Sequence, residues 1–477
     1  MSTESRHTHA SLMQSPFPTI VAVATPIGRA SLGAIRLSGP RSHEIVLSMM
    51  ETAPATLEFR RLYHSYLRRR DGSLLDETTV CFMKGPASYT GEDMVEIFCH
   101  SGAAVLQGIV DDALERGAVI AAPGEFTRRA FIHGKIDLVQ AEAVADIVDA
   151  ETPIALAAAL NQRRGAVSEA IKRWRQELIE LVADIEAEID FSEEELLEVF
   201  DSGERMRRVE TLLEEIEKAL ATARAGVYVR EGISVVLLGK PNVGKSSLMN
   251  ALLKKDRVIV TAIPGTTRDI VSERAYIQGF PIVLHDSAGI RQASEPVEQI
   301  GIDRAREAVR GADVAVLVVD GTEELGHEDA EAYALARQAA ACVIALNKCD
   351  LDLVVREEDV RRGLAPEKGS VPIVRISALT GEGIGELEVH IIKQAFAGSS
   401  KSVSTERIFL TNRRHIESLR RAHSLLEEAK RLIDENAAPE VVCVPLREAV
   451  YALREIVGEV TNDTILDRIF SRFCIGK

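Results

Sequence analysis

The sequence contains no apolar run that approaches the roughly 18 to 20 consecutive residues needed to span a membrane. Its first 18 residues carry His, Ser and Pro but no apolar stretch of the signal-peptide kind, so we expect a frayed tail. The six cysteines form neither a CxxC pair nor a Cys/His cluster with metal-ligand spacing. These absences disfavour a membrane-spanning protein and a protein with a structural zinc site. We expect a reducing, cytoplasmic environment.

Positive charge is also scarce, because 57 Lys and Arg face 73 Asp and Glu, which gives a net charge of -16. Phosphate contacts require Lys and Arg, so this balance argues against a free-standing nucleic-acid binder. Isolated basic clusters are most simply interpreted as solvated faces. They are Arg60–Arg61, Arg68–Arg70, Arg413–Arg414 and Arg420–Arg421. If RNA is the substrate, we expect a basic partner to supply much of the binding.

The N-terminal region of the chain alternates short β-rich runs with turn residues. Thr19–Ala24, Leu32–Leu37 and Met94–Phe98 have the composition of strands, and Ala103–Arg116 that of a helix closed by Gly117. The pattern predicts a compact α+β domain.

Helical periodicity begins near Gly124, continues to about Ala223 and returns only after Ser404. Because 477 residues exceed what one core usually serves, we predict two to three domains, with one inserted into a helical bundle whose two segments pack together. The fold class predicted is thus α/β multidomain. The predicted boundaries are a disordered tail 1–18, an N-terminal domain 19–120, a first helical segment 121–231, a nucleotide-binding domain 232–395 and a second helical segment 396–477.

The segment Gly239–Ser246 reads GKPNVGKS, after an apolar run at Ile233–Leu238 and before a helix predicted to begin at Ser247. In such a turn, glycines let backbone amides approach phosphates and the helix N-terminus adds positive potential. Lys245 is expected to reach the β- and γ-phosphates, and the Ser246 hydroxyl to coordinate Mg²⁺.

A second motif, Asn347–Asp350, follows a buried strand predicted at Cys342–Leu346. Asp350 can accept hydrogen bonds from guanine N1–H and the 2-amino group, whereas adenine would leave this carboxylate unpaired. Ser377–Ala378 offers a backbone amide to guanine O6. An ATPase would lack this guanine-specific set, so the sequence predicts a GTPase with a Ras-like domain.

The metal and switch positions follow from the same pattern. Asp286 is expected to hold Mg²⁺ through water, the Gly289 amide to face the γ-phosphate, and Thr267 to be the switch threonine. Ile290 occupies the position where Ras-like enzymes carry the glutamine that orients water, so another group must act. Glu298 is a candidate for that role, and Asn242 a candidate ligand for a monovalent cation.

We assign one continuous set of residues to the GTP site. The set is Asn242, Val243, Gly244, Lys245, Ser246, Ser247, Thr261, Ala262, Ile263, Pro264, Gly265, Thr266, Thr267, Asp286, Ser287, Ala288, Gly289, Asn347, Lys348, Asp350, Ser377 and Ala378.

Longer motifs resemble the bacterial MnmE (TrmE) family of tRNA-modification GTPases from about Thr19 to Lys477. They are ATPIGRASLGAIRLSG, PGEFTRRAF, GKIDLVQAEA, IDFSEEE, GKPNVGKSS, IPGTTRD and the terminal FSRFCIGK. The resemblance implies a folate-binding N-terminal domain that dimerises, a discontinuous helical domain and an inserted Ras-like domain. It also implies a FAD-containing MnmG (GidA) partner in a heterotetramer or larger complex, and a reaction at C5 of the wobble uridine (position 34) of certain tRNAs. That reaction would add an aminomethyl or carboxymethylaminomethyl group.

The same resemblance implies roles for particular residues. Asn242, Thr261, Ile263 and Thr266 resemble the K⁺ ligands, and Ser246 and Thr267 the Mg²⁺ ligands. Glu298 matches the catalytic glutamate, and Cys474 is expected to act in the modification. Arg36, Glu96, Lys135 and Lys477 match the site for a tetrahydrofolate derivative, in its 5,10-methylene or 5-formyl form. Ser287 departs from the family pattern, which usually has Thr, and we expect little change from it.

Two other functions compete with this interpretation. A regulatory GTPase of ribosome assembly should carry a dedicated RNA-binding module, and none is convincing in the sequence. A dimerising scaffold without chemistry would need neither the folate residues nor the terminal Cys474–Lys477.

Overall fold

The computed structural model describes residues 17–190, 202–254, 272–286, 306–364, 371–397, 410–460 and 462–477. The chain divides into two compact units. The first comprises Met1–Val148, Gln162–Arg173 and Leu453–Lys477, and the second Asp149–Asn161 and Trp174–Ala452. No described helix combines the length and apolar character that crossing a membrane requires.

The first unit contains a six-stranded sheet in the order β3-β4-β5-β2-β1-β6. Its strands are β1 (Ile20–Val23), β2 (Gly33–Ser38), β3 (Leu62–Arg68), β4 (Leu74–Met83), β5 (Met94–Cys99) and β6 (Val119–Ile120). The pairs are antiparallel except for β1 with β6. The three strands predicted here are confirmed, each within two residues of its predicted ends.

Alternate residues along these strands enter two different cores, as the period of two requires. Helices α1 (Ser42–Met49) and α2 (Ala103–Glu115) cover one face, where strand residues such as Ile35 and Ile97 are fully buried. On the other face, Ala22 and Met94 cluster with Phe126 of α3 (Glu125–Ile132). The predicted helix at Ala103–Arg116 is confirmed, and Gly117 follows it with φ +98°.

Helices then follow one another as the periodicity predicted. They are α4 (Leu138–Asp149), α5 (Pro153–Arg163), α6 (Ala166–Asp190), α7 (Ser202–Leu220) and α8 (Ala223–Glu231).

The second unit contains a six-stranded sheet in the order β12-β11-β10-β7-β9-β8, parallel except for β8. Its strands are β7 (Ile233–Leu238), β8 (Ser272–Ile277), β9 (Phe280–Asp286), β10 (Val314–Asp320), β11 (Cys342–Asn347) and β12 (Ile373–Arg375). Its helices are α9 (Lys245–Lys254), α10 (His327–Ala336), α11 (Glu357–Gly363) and α12 (Ile384–Ala395), and residues 306–311 are also helical. Because β7, β9, β10 and β11 are parallel, their carboxyl ends meet at one edge, where nucleotides bind in open α/β sheets.

The chain closes with helices α13 (Arg413–Asp434), α14 (Pro439–Val457) and α15 (Asp463–Phe470). Lys430 of α13 pairs with Glu210 of α7 at 2.8 Å. Gly226 of α8 lies so close to Leu410 that an added Cβ would overlap the Leu410 carbonyl. The two helical segments therefore pack together, as the sequence predicted.

Candidate functional site

The loop between β7 and α9, Gly239–Gly244, is here called the phosphate loop. Its backbone conformation suits the binding of phosphates. Gly239 and Gly244 have φ of +142° and +98°, values that favour glycine, and Asn242 has φ +63°. A Cβ at Gly239 would overlap Val318 O, and one at Gly244 would overlap the side-chain amide of Asn347. Glycine is therefore required at both positions by conformation and by space.

Lys245 is the first residue of α9, and its ammonium group folds back over this loop. Its Nζ donates to Gly239 O at 2.9 Å and to Lys240 O at 2.8 Å. Ser246 and Ser247 follow in the first turn of the helix. A cation and a helix N-terminus thus converge on one loop, an arrangement that suits a polyphosphate.

Asn347 at the end of β11 connects three of the predicted motifs. Its Nδ2 donates to Val243 O at 2.7 Å, and its Oδ1 accepts from Ala378 N at 2.9 Å. Lys348 follows with φ +67°, and Asp350 is exposed in the next turn. The structure therefore brings the phosphate loop, the Asn347–Asp350 motif and the Ser377–Ala378 loop together at one edge of the sheet.

Four residues that were not assigned to the site from the sequence also lie at this edge. Asp320 ends β10 and pairs with Lys348 at 2.5 Å, and Lys240 pairs with Glu323 at 3.0 Å and with the buried Asp329 at 3.5 Å. Burial acts to raise the pKa of Asp320, but hydrogen bonds from Lys348 and Thr322 outweigh it and lower that pKa. The signal for Asp320 was available, because this acidic residue ends an otherwise apolar, buried strand.

Several predicted site residues lie outside the described residues. They are Thr261, Ala262, Ile263, Pro264, Gly265, Thr266, Thr267, Ser287, Ala288, Gly289 and Glu298. Asp286 is the last residue of β9, the strand next to β7, so its backbone lies at the carboxyl edge of the sheet.

The described residues of the predicted metal sites suit hard cations. Ser246 offers a hydroxyl beside the phosphate loop, and the exposed Asn242 lies in the loop itself, so both present oxygen donors. Within the described ranges, no three His, Cys, Asp or Glu side chains cluster as a metal site. Any metal at this edge would therefore need the nucleotide or residues outside those ranges as further ligands.

The first unit brings two of the predicted folate residues together. Arg36 on β2 and Glu96 on β5 are cross-strand neighbours, and their side chains pair at 2.8 Å. They remain 28% and 24% exposed, so a ligand can reach them. Cys81 on β4 is the next neighbour of Glu96 in the same row, and burial raises the pKa of its thiol.

The C-terminal tail reaches the same pair. Arg36 Nη1 donates to Gly476 O at 3.3 Å. Gly476 has φ +92° and lies against β1, where an added Cβ would overlap Val23 O. This bond joins residues that are 440 positions apart in the chain.

The other predicted residues of this site have different partners. Lys135 Nζ donates to Pro86 O at 2.8 Å. The Lys477 amide donates to Cys474 O at 3.3 Å, which turns the last residues back on themselves. The structure thus joins Arg36, Glu96 and the tail directly, and places Lys135 against the segment that follows β4.

Cys474 is the exposed one of the six cysteines, all of which the structure describes. Burial raises the pKa of Cys99 to about 11 and that of Cys342 to about 12. Burial likewise raises the pKa of Cys349 and of Cys443. A raised pKa leaves little reactive thiolate at the buried positions, and Cys474 is the exposed thiol of the set.

Comparison with known families matches nearly the whole chain. Residues 19–135 match the family described as the GTP-binding protein TrmE N-terminus, and residues 138–474 match the MnmE helical domain.

The similarity to curated relatives covers 99% of the length of each of three of them. The chain is 41% identical to the tRNA modification GTPase MnmE of Symbiobacterium thermophilum, over 96% of this chain and 99% of that protein. It is 40% and 42% identical to the proteins of that name from Aquifex aeolicus and Chloroflexus aurantiacus, with the same coverage. Among solved structures, the G domain of the T. maritima FeoB iron transporter is 27% identical and covers 34% of this chain and 98% of its own, with a TM-score of 0.27.

Proposed function

The chain belongs to the MnmE (TrmE) family of tRNA modification GTPases, and we propose that it hydrolyses GTP in a reaction that modifies tRNA. The observation that carries this proposal is the double role of Asn347. One side chain bonds both to the phosphate loop at Val243 and to the Ala378 amide. Asn347 therefore fixes the loop that holds the phosphates relative to the loops that recognise the base.

Guanine specificity resides in Asp350 and the Ala378 region. The exposed Asp350 carboxylate can accept both N–H groups of the guanine edge, and a backbone amide near Ala378 can donate to O6. Adenine offers an amino group where guanine has its carbonyl, so it would lose these bonds.

In hydrolysis, Lys245 holds the β- and γ-phosphates and Ser246 and Thr267 hold Mg²⁺. Asn242, Thr261, Ile263 and Thr266 hold K⁺, and Glu298 orients the attacking water indirectly. Mg²⁺ and K⁺ held by these residues would supply positive charge against the charge that develops on the phosphates, a role that an arginine has in other GTPases. The oxygen donors of Ser246 and Asn242 beside the loop support these assignments.

For the modification itself, Arg36, Glu96, Lys135 and Lys477 bind a tetrahydrofolate derivative, in the 5,10-methylene or 5-formyl form. A carboxylate suits the N–H donors of a pterin, and cationic side chains suit the glutamate tail. A bound folate would supply a one-carbon unit for C5 of the wobble uridine, and Cys474 is assigned to the modification chemistry. The partly exposed Arg36–Glu96 pair and the tail bonded to it support this site.

The proposal includes partners and a location. The protein forms a homodimer and acts with a FAD-containing MnmG (GidA) partner in a heterotetramer or larger complex, in the cytoplasm. The partner contributes much of the tRNA binding, because the net charge of -16 disfavours RNA binding by this chain on its own. The folate domain spans 19–120, the helical domain 121–231 and 396–477, and the G domain 232–395.

The direct test is phosphate release by the purified full-length chain from GTP and ATP, each in K⁺ and in Na⁺. We expect hydrolysis of GTP, stimulated by K⁺, and negligible hydrolysis of ATP. Glu298→Ala should abolish turnover and leave GDP binding intact. Equal rates with ATP and GTP would refute the proposed specificity, and equal rates in Na⁺ and K⁺ would refute the cation assignment alone.

A further inference from the structure

The segment from Asp320 to Asp329 runs from the last residue of β10 into the first turn of α10. It carries acidic side chains that pair with a lysine from each of the two nucleotide-binding loops. One lysine, Lys348, belongs to the guanine motif, and the other, Lys240, belongs to the phosphate loop.

At the base end, Asp320 holds Lys348 in one place. The Asp320 carboxylate is 3% exposed, and its Oδ2 lies 2.5 Å from Lys348 Nζ. Its Oδ1 accepts from the Thr322 amide at 2.9 Å and from the Thr322 hydroxyl at 2.7 Å, so the carboxylate cannot rotate away. A lysine side chain is otherwise flexible, and this anchor fixes the direction of its aliphatic stem.

At the phosphate end, Lys240 is held by two carboxylates. Its Nζ lies 3.0 Å from Glu323 and 3.5 Å from Asp329, whose side chain is 1% exposed. Asp329 Oδ2 also accepts from the Gly326 amide at 3.0 Å, whereas its buried Oδ1 has no hydrogen-bond partner within the described structure. A buried carboxylate that is only partly hydrogen-bonded depends on a nearby cation, so the Lys240 contact compensates the charge of Asp329.

The Lys240 anchor acts directly on the loop that cradles phosphates. The carbonyl of Lys240 accepts a hydrogen bond from Lys245 Nζ at 2.8 Å. Movement of Lys240 would therefore move an acceptor that orients the phosphate-binding lysine. The connection runs from Asp329 through Lys240 to Lys245.

We propose that Asp320 and Asp329 are positioning residues for guanine-nucleotide binding, Asp320 through Lys348 at the base end and Asp329 through Lys240 at the phosphate end. This inference rests on the proposed GTPase function and adds residues to it. The loss of Asp320 should then weaken the binding of nucleotides whatever their number of phosphates. The loss of Asp329 should weaken the binding of GDP more than that of GMP.

The test is displacement of a fluorescent GDP analogue by GDP and by GMP, with the full chain and the variants Asp320→Asn and Asp329→Asn. Asp320→Asn should lower the affinities for GDP and GMP by the same factor, about tenfold, which is the scale of a hydrogen bond to a charged group. Asp329→Asn should lower the affinity for GDP by about tenfold and that for GMP by less, because only the phosphate end is disturbed. Glu331→Gln removes the same charge from an exposed position of α10, where the side chain faces His327, and should change neither affinity.

A double-mutant cycle separates positioning from general stability. If Asp320 acts through Lys348, Asp320→Asn should cost nothing further in a Lys348→Met background, and the same holds for Asp329→Asn in Lys240→Met. Additive losses, or losses that follow only the melting temperature, would overturn the proposal. Should Asp320→Asn fail to fold, Thr322→Val removes the hydroxyl that bonds to Asp320 and keeps every charge. Unchanged GDP affinity in that variant would count against the role of Asp320. Absence of GDP binding by the wild-type chain would refute the GTPase function instead.

Discussion

The side-chain amide of Asn347 donates a hydrogen bond to the backbone carbonyl of Val243 at 2.7 Å. This bond joins the end of β11 to the phosphate loop across 104 positions of sequence. Because Asn347 is 2% exposed, water cannot replace it in that role. The distance between the phosphate loop and the Asn347–Asp350 motif is therefore set within the protein.

Replacing Asn347 by Ala should weaken nucleotide binding and destabilise the fold. It leaves the Val243 carbonyl and the Ala378 amide without their partner, at about 1–3 kcal/mol for each buried group. We expect a loss of GDP affinity of about tenfold or more and a lower melting temperature, measured by titration calorimetry and thermal unfolding. The control is Asn250→Ala, at an exposed position of α9. Wild-type affinity in Asn347→Ala would contradict the bridging role.

Replacing Asp350 by Asn should change which base the site accepts. An asparagine amide can donate to the 2-oxo group of xanthine, whereas the Asp350 carboxylate accepts from the 2-amino group of guanine. We expect GTP hydrolysis to fall and xanthosine triphosphate to become the better substrate, as measured by the ratio of the kcat/KM values. A variant that still prefers GTP would show that Asp350 does not read the base.

Replacing Gly476 by Ala should displace the tail from the Arg36–Glu96 pair. The new Cβ would overlap the Val23 carbonyl, and the residue already has φ +92°. We expect loss of reduced-folate binding by the full chain, measured by calorimetry. Gly72→Ala is the matched control, because Gly72 has φ +85° but no atom within 4 Å of an added Cβ. Equal folate affinity in both variants would show that the tail does not contribute to the folate site.

The thiols should differ in reactivity with pH. At pH 8, a thiol of pKa about 11, such as Cys99, is thiolate in about one molecule per thousand, and Cys342 in fewer still. The exposed Cys474 should therefore be alkylated first by iodoacetamide, as read by peptide mass spectrometry. As pH rises toward 11, labelling of Cys99 should appear before that of Cys342. Labelling of Cys342 ahead of Cys474 at pH 8 would contradict the burial described.

The elements that the sequence predicted best are those whose identity depends on local pattern. Strand β7 begins and ends where the apolar run Ile233–Leu238 does, and β11 extends the predicted strand Cys342–Leu346 by one residue. Such runs are buried on both faces of a parallel sheet, so composition alone marks them. The phosphate loop was equally predictable, because glycines at positive φ are a local requirement.

Long-range contacts could not be obtained in this way. The bond from Arg36 to Gly476 and the pairing of Lys240 with Asp329 depend on how distant segments meet. The similarity of the tail to a known family indicated that it belongs with the folate residues, but not that Arg36 would bond to the Gly476 carbonyl. The acidic end of the buried strand β10 could have pointed to Asp320, but nothing local in the sequence identifies Lys348 as its partner.

We propose that GTP hydrolysis by this chain supports modification of the wobble uridine. The most direct measurement is mass spectrometry of tRNA nucleosides from cells that lack the gene, carrying either the wild-type gene or Lys245→Ala. We expect the C5-modified uridine to disappear without the gene, to return with the wild-type chain and to stay absent with the variant. Normal wobble uridines in cells without the gene, or full restoration by Lys245→Ala, would contradict it.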